Sequence, residues 1–202
     1  MIRLYVRIAI ASRRIAPPYI FAMLWISILV ASPDGDGKIG QLLLMYCIAP
    51  IGIGFVVMTA DNGLLGEIVD ASAGYLMSIS ARVVAALVLT GPMLAIGVFI
   101  SAQSGPFAGR RAALDSALAF VGCATGAVGV TAFAHPNVPG GTGVKFLGVL
   151  LGLLGLLFFR PFQVLLSTAD GLALGSSWLA VAVGTALAMG CIVLASLLAR
   201  RA

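Results

Sequence analysis

The chain has 202 residues, 61% of them hydrophobic and 9% charged, and its mean hydropathy is +1.13. A soluble domain carries about 25% charged residues, and no soluble core of this size hides so much apolar surface, so the surrounding medium is lipid. The formal charge of +5 does not point to nucleic acid, because no basic stripe with interleaved aromatics exists.

Residues 1–15 carry Arg3, Arg7, Arg13 and Arg14. On a helix Arg3, Arg7 and Arg14 share one side, with Ile2, Tyr5, Ile8 and Ile15 roughly opposite. This spacing predicts an amphipathic interfacial helix rather than a span. The first span follows at Ala16–Ala31, opened by Pro17 and Pro18, where first-turn N–H groups lack partners anyway. A cleaved signal peptide ending near Val30-Ala31-Ser32 is the alternative for this region. It would leave five spans instead of six.

Ser32–Gly40 is a loop of turn formers, and the second span is Gln41–Ala60, with a kink expected at Pro50. Thr59–Arg82 then interrupts the apolar pattern with Asp61, Glu67 and Asp70. Within it Leu64, Leu65, Ile68 and Val69 fall on one helical face, Gly74 is a break, and Arg82 marks the return to the membrane. The third span is Val83–Ser101, interrupted at Gly91-Pro92, and Ala102–Ala112 is a loop. The fourth span is Ala113–Ala134, in which Gly122 and Gly126 permit close helix approach. The loop His135–Lys145 leads to the fifth span, Phe146–Phe159, with Gly148 and Gly152 as a second such pair. Arg160–Ser177 is semi-polar and reads as a re-entrant or interfacial segment on the outside. Trp178–Leu198 is the sixth span.

The expected fold is therefore all-α: one polytopic transmembrane domain over 1–202, with about six helices and an N-terminal interfacial helix. Placing both termini in the cytoplasm puts Arg3, Arg7, Arg13, Arg14, Arg82, Lys145, Arg200 and Arg201 inside. Lys38, Arg110, Arg111 and Arg160 are then outside, an excess that agrees with the positive-inside rule. Residues 61–82 accordingly lie on the cytoplasmic side.

Several chemistries lack their residues. His135 is the single histidine, set in a predicted surface loop with no nucleophile beside it, so no catalytic site is expected. No ligand cluster suits a metal, and Cys47, Cys123 and Cys191 sit in separate apolar runs as small buried hydrophobes. The centres of the spans carry essentially no charge, which argues against ion coupling within this chain. A phosphate loop is absent: Gly37-Lys38 is followed by Ile39 and lacks the first glycine, and Pro139–Lys145 lacks the GK[ST] ending. Energy for active transport would have to come from another subunit.

In this layout the chain resembles the membrane, or permease, subunit of the type-2 ABC exporters. The resemblance covers nearly the whole chain in architecture. At residue level it rests on Asp61, Gly66-Glu67-Ile68-Val69 and Arg82. Asn62 and Ala73-Gly74 stand where the family often has arginine and proline. The resemblance implies a second permease subunit, in a homo- or heterodimer, and separate ATP-binding subunits that hold ATP and Mg and dock on the helix between the second and third spans. The expected docking residues are Asp61, Leu64, Leu65, Glu67, Ile68 and Asp70, in a multi-pass protein of the inner (plasma) membrane surrounded by lipid. This chain would itself be no enzyme and hold no cofactor. The competing readings are a non-transporting assembly or anchoring protein, a secondary carrier or channel, and, last, a membrane enzyme.

Overall fold

The computed structural model describes residues 1–11, 13–31, 36–60, 64–103, 110–140, 145, 148 and 174–201. Among them every regular element is helical. This follows from the composition, since backbone N–H and C=O groups in an apolar medium must pair within their own segment. The helices are α1 (Ile2–Ala11), α2 (Ala16–Ala31), α3 (Asp36–Thr59), α4 (Leu64–Ala73), α5 (Tyr75–Gln103) and α6 (Arg110–Val130), then a 3-10 turn (Thr131–Ala134) and α7 (Leu174–Ala199). Three described segments are long and apolar enough to cross a membrane: Tyr75–Ile96, Ala117–Ala134 and Trp178–Ala199. A shorter apolar helical segment is Ile48–Thr59.

Several element boundaries differ from the sequence expectation. α3 begins at Asp36, inside the expected loop. It continues through Pro50, as α5 continues through Gly91-Pro92. A single proline deletes one backbone hydrogen bond, and neighbouring helices can hold the rest of the helix in place. The break at Gly74 is real, because Gly74 has φ 77°, a left-handed conformation natural to glycine at a helix end. Beyond it α5 starts at once, so Arg82 lies in the body of that helix and not at its border. α7 begins at Leu174, within the stretch expected to be re-entrant. The remainder of that stretch, the fifth span apart from Gly148, and Asp61 lie outside the described residues.

Close contacts fix the helix directions. A Cβ placed on Gly122 would meet the carbonyl of Ala180 at 2.5 Å, and one on Gly126 would lie 3.5 Å from Gly184 Cα. One on Gly129 would strike Ala188. Contacts that advance together along both chains mean that α6 and α7 run parallel. Gly54 of α3 faces Thr131 just past α6, so α3 runs parallel to α6 as well. α2 starts beside the far half of α3, with Pro18 against Gly52, and α5 turns back from α3 through α4. The core is centred on α3, α5 and α6, with Ile53, Val57, Met58, Ile79, Phe120 and Val128 buried. Of the apolar window in α6, 72% is buried within the chain, against 28% in α7. The outer face of α7 presents Trp178, Leu179, Met189, Val193, Leu194 and Leu197.

Candidate functional site

The polar residues of the bundle gather where α3 and α6 end and α5 begins. The last carbonyls of a helix have no partner within it. Near the end of α3 one of these, on Met58, accepts a 2.8 Å hydrogen bond from Arg82 Nη1. The guanidinium therefore caps α3, and its charge sits favourably at the negative end of the helix dipole. Its carbon lies 4.8 Å from the centroid of the Tyr5 ring, a cation–π contact with α1. The Tyr5 hydroxyl pairs with Ser78 Oγ at 3.1 Å. Tyr5 and Ala9 are the buried residues of α1, while Arg3 and Arg7 are exposed.

A second cluster ties α4 to the loop after α6. Asp70, in the last turn of α4, is 6% exposed. An acid is disfavoured at a helix C-terminus by the dipole, so its neighbours must hold it. Asn137 Nδ2 donates to Asp70 Oδ2 at 2.9 Å, and His135 Nε2 lies 3.5 Å from the same oxygen. His135 Nδ1 accepts from the Asn137 backbone N–H at 3.3 Å, which places the proton of a neutral ring on Nε2, toward Asp70. The ring of Tyr75, at the start of α5, stands edge-on to His135 with centroids 6.3 Å apart. Asp70 Oδ1 is buried and has no hydrogen-bond partner among the described residues.

His135, expected at the surface, is thus fully buried. Sequence reading missed it because Pro136 and the glycines after it signal a loop, and nothing local shows that this loop folds beneath α4. Lys145 Nζ donates to the carbonyls of His135 at 2.8 Å and Pro136 at 2.9 Å, which fixes the loop from its far side. Burial lowers the Lys145 pKa from the usual lysine value.

The expected docking residues divide. Ile68 is 58% exposed, so α4 turns this apolar side chain outward. Asp70 faces inward, and it cannot set register against a partner's basic groups because Asn137 and His135 already engage it. Leu64, Leu65 and Glu67 lie on α4; Asp61 is outside the described residues. Of the expected packing glycines, Gly122 and Gly126 lie on the α6–α7 contact. No described atom comes within 4 Å of a Cβ on Gly148, and Gly152 is outside the described residues. Sequence reading also missed the complement on α7, where Ala180, Gly184 and Ala188 repeat at the small-xxx-small spacing.

No group of three or more metal-ligating side chains occurs among the described residues. A cleft of about 580 Å³ opens beside the second cluster, lined by Arg14, Phe55, Thr59, Ala134, Pro136, Gly140 and Lys145. Compared with protein-family models, curated proteins and solved structures, the chain matches none of them.

Proposed function

We propose that this chain is the membrane-spanning permease subunit of an ATP-driven exporter of the ABC type. It works as a dimer and takes its energy from separate ATP-binding subunits. The observation that carries this reading is the setting of α4. This short helix joins two long apolar ones, turns Ile68 outward, and is held from beneath through Asp70. A soluble partner pressing on the outer face would move the loop after α6 and the start of α5 together, because Asp70 and Tyr75 both contact His135 or its neighbour. Rigid elements joined by such contacts transmit a push as a rotation of helices.

Six spans in the inner membrane with both termini cytoplasmic agree with the helix directions. α2, α3, α5 and α6 alternate, whereas α6 and α7 run parallel. The chain between these last two starts at one end of the bundle and finishes at the other, as one more crossing would. Arg82 and Lys145, counted inside by the charge rule, both lie at the end where α3 and α6 finish.

The test is purification from native membranes in mild detergent, with identification of the stoichiometric partner. The wild-type chain should bring down an ATPase, and Glu67→Lys and Leu64→Asp should lose it. Wild-type association in both variants would refute docking on α4.

A gradient-driven carrier is the second reading, favoured by the buried Asp70–His135 pair, since ionisable groups withheld from water in membrane proteins commonly mark proton paths. It predicts no ATPase partner, and proton uptake into proteoliposomes that Asp70→Asn abolishes.

A further inference from the structure

We propose that His135 and Asp70 form a proton-operated latch that sets how α4 is held against the loop after α6. With a neutral ring, His135 serves two neighbours. Its Nδ1 accepts from the Asn137 backbone N–H at 3.3 Å, and its Nε2 faces Asp70 Oδ2 at 3.5 Å, beyond normal hydrogen-bond length. Asn137 Nδ2 engages the same Asp70 oxygen at 2.9 Å, and Asp70 Oδ1 has no hydrogen-bond partner among the described residues. Asn137 is therefore the bridge: the ring holds its backbone, and the acid holds its side chain.

A proton added to the ring reverses these roles. It binds at Nδ1, the one acceptor of a neutral imidazole, and the imidazolium that forms has two donors and no acceptor. The Asn137 N–H then faces another N–H, and that bond is lost. The new positive charge lies 3.5 Å from a carboxylate that is 6% exposed, and a charge-assisted pair closes to about 2.8 Å. The backbone of His135 stays in place, because its carbonyl accepts from Val138 N–H at 3.0 Å and from Lys145 Nζ at 2.8 Å. What moves is Asp70, together with α4. That helix ends on Gly74, whose φ of 77° and open surroundings make a single-residue pivot. Ile68, turned outward on the same helix, travels with it.

Histidine suits such a device, since an imidazole changes charge between about pH 5 and pH 8. The proton arrives from the cleft of about 580 Å³ lined by Ala134 and Pro136, the chain neighbours of His135. Among the described residues, the other titratable or charged groups on the surrounding elements are Tyr75 and Arg82 of α5, Lys145, and Arg200 and Arg201 after α7. The nearby part of α3, Ile48–Thr59, and the 3-10 turn carry none. The cations oppose a charged ring. Arg82 is directed at the Met58 carbonyl and the Tyr5 ring, and Arg200 and Arg201 are exposed, where water and salt screen them. Asp70 favours the charged ring from a buried position, with little screening. The latch requires neither an ATPase partner nor proton transport.

The test uses the full chain in nanodiscs, purified on a tag without histidine. His135 is the single histidine of the chain, so nitrogen NMR of labelled histidine follows its charge from about pH 8 down to about pH 5. The two ring nitrogens should give separate signals at the upper end and the imidazolium pattern at the lower. With the same midpoint, exchange of the Asn137 amide, corrected for its intrinsic pH dependence, should rise about tenfold, the scale of one hydrogen bond. Amides of α4 should change in step with it. Asp70→Asn removes the charge and keeps an oxygen for Asn137, so the midpoint should fall by about one pH unit or more. His135→Gln does not titrate and should abolish the exchange step. Should that variant fail to fold, the midpoint in Asp70→Asn still decides. A ring that keeps one charge state throughout would overturn the proposal. So would a titration that leaves Asn137 and α4 unaffected, or an unchanged midpoint in Asp70→Asn.

Discussion

Two parts of this molecule hold helices together by opposite means. Along α6 and α7, Gly122, Gly126 and Gly129 meet Ala180, Gly184 and Ala188, and the backbones approach until nothing larger fits. At the junction of α4, α5 and the loop after α6, the contacts are Asp70, His135, Asn137 and Arg82, each reaching a specific atom. The first contact is continuous and spread over about two turns of each helix. The second rests on a few directed bonds. Lipid tails are as apolar as leucine, so helices in a membrane gain little from hiding apolar side chains and associate through close packing or polar bonds. A packed seam resists local change, because its atoms must move together. A polar junction can open one bond at a time.

Substitutions that add volume to the seam should have the largest effect. Gly122→Leu would force a side chain into the Ala180 backbone. Overpacking of this kind costs about 3 kcal/mol, and the expected outcome is loss of most folded protein on thermal unfolding in detergent. Full stability of this variant would mean that α6 and α7 do not pack as described.

At the junction, Asp70→Leu leaves Asn137 Nδ2 without its acceptor and removes the carboxylate that lies 3.5 Å from His135 Nε2. Unsatisfied buried groups cost roughly 1–3 kcal/mol each. The loss should be local: amide exchange should accelerate in α4 while α6 and α7 stay protected. A double-mutant cycle of Asp70→Leu with His135→Leu should give a coupling of about 1 kcal/mol. Equal acceleration everywhere would remove the distinction between the two regions.

Tyr5→Phe keeps the ring over Arg82 and deletes only the contact with Ser78. A loss of about 1 kcal/mol is expected, read as faster tryptic cleavage at Arg7 in reconstituted protein. The smallest change in stability should come from Ile68→Ser. Ile68 is an exposed residue, and surface substitutions stay within about 0.5 kcal/mol. Association with an ATPase should nevertheless fall, and a variant that leaves both unchanged would count against α4 as a dock.

How much of this was legible beforehand varies with the type of interaction. Apolar runs and their glycines signal helices and close approach locally, so the Gly122–Gly126 spacing was visible while its partner residues on α7 were not paired with it. The short helix and its end at Gly74 were legible for the same reason. From local sequence Arg82, Lys145 and His135 look like a boundary mark, a topology charge and a surface loop residue. Each instead meets residues that are near it only in space or across a turn: Arg82 donates to the Met58 carbonyl, Lys145 donates to the His135 and Pro136 carbonyls, and His135 lies 3.5 Å from Asp70. No periodicity encodes such pairings.

By itself the sequence determined the apolar character of the chain, the helical class and the places where apolar helices stop, because these depend on composition and on spacing along one chain. Only the tertiary structure decided that Asp70 turns inward while Ile68 turns outward, and that Arg82 caps α3. It also decided that Arg14 and Lys145 come to share one cleft. Those outcomes depend on which helix ends meet, and a charged group withheld from water goes where a partner from another element can satisfy it.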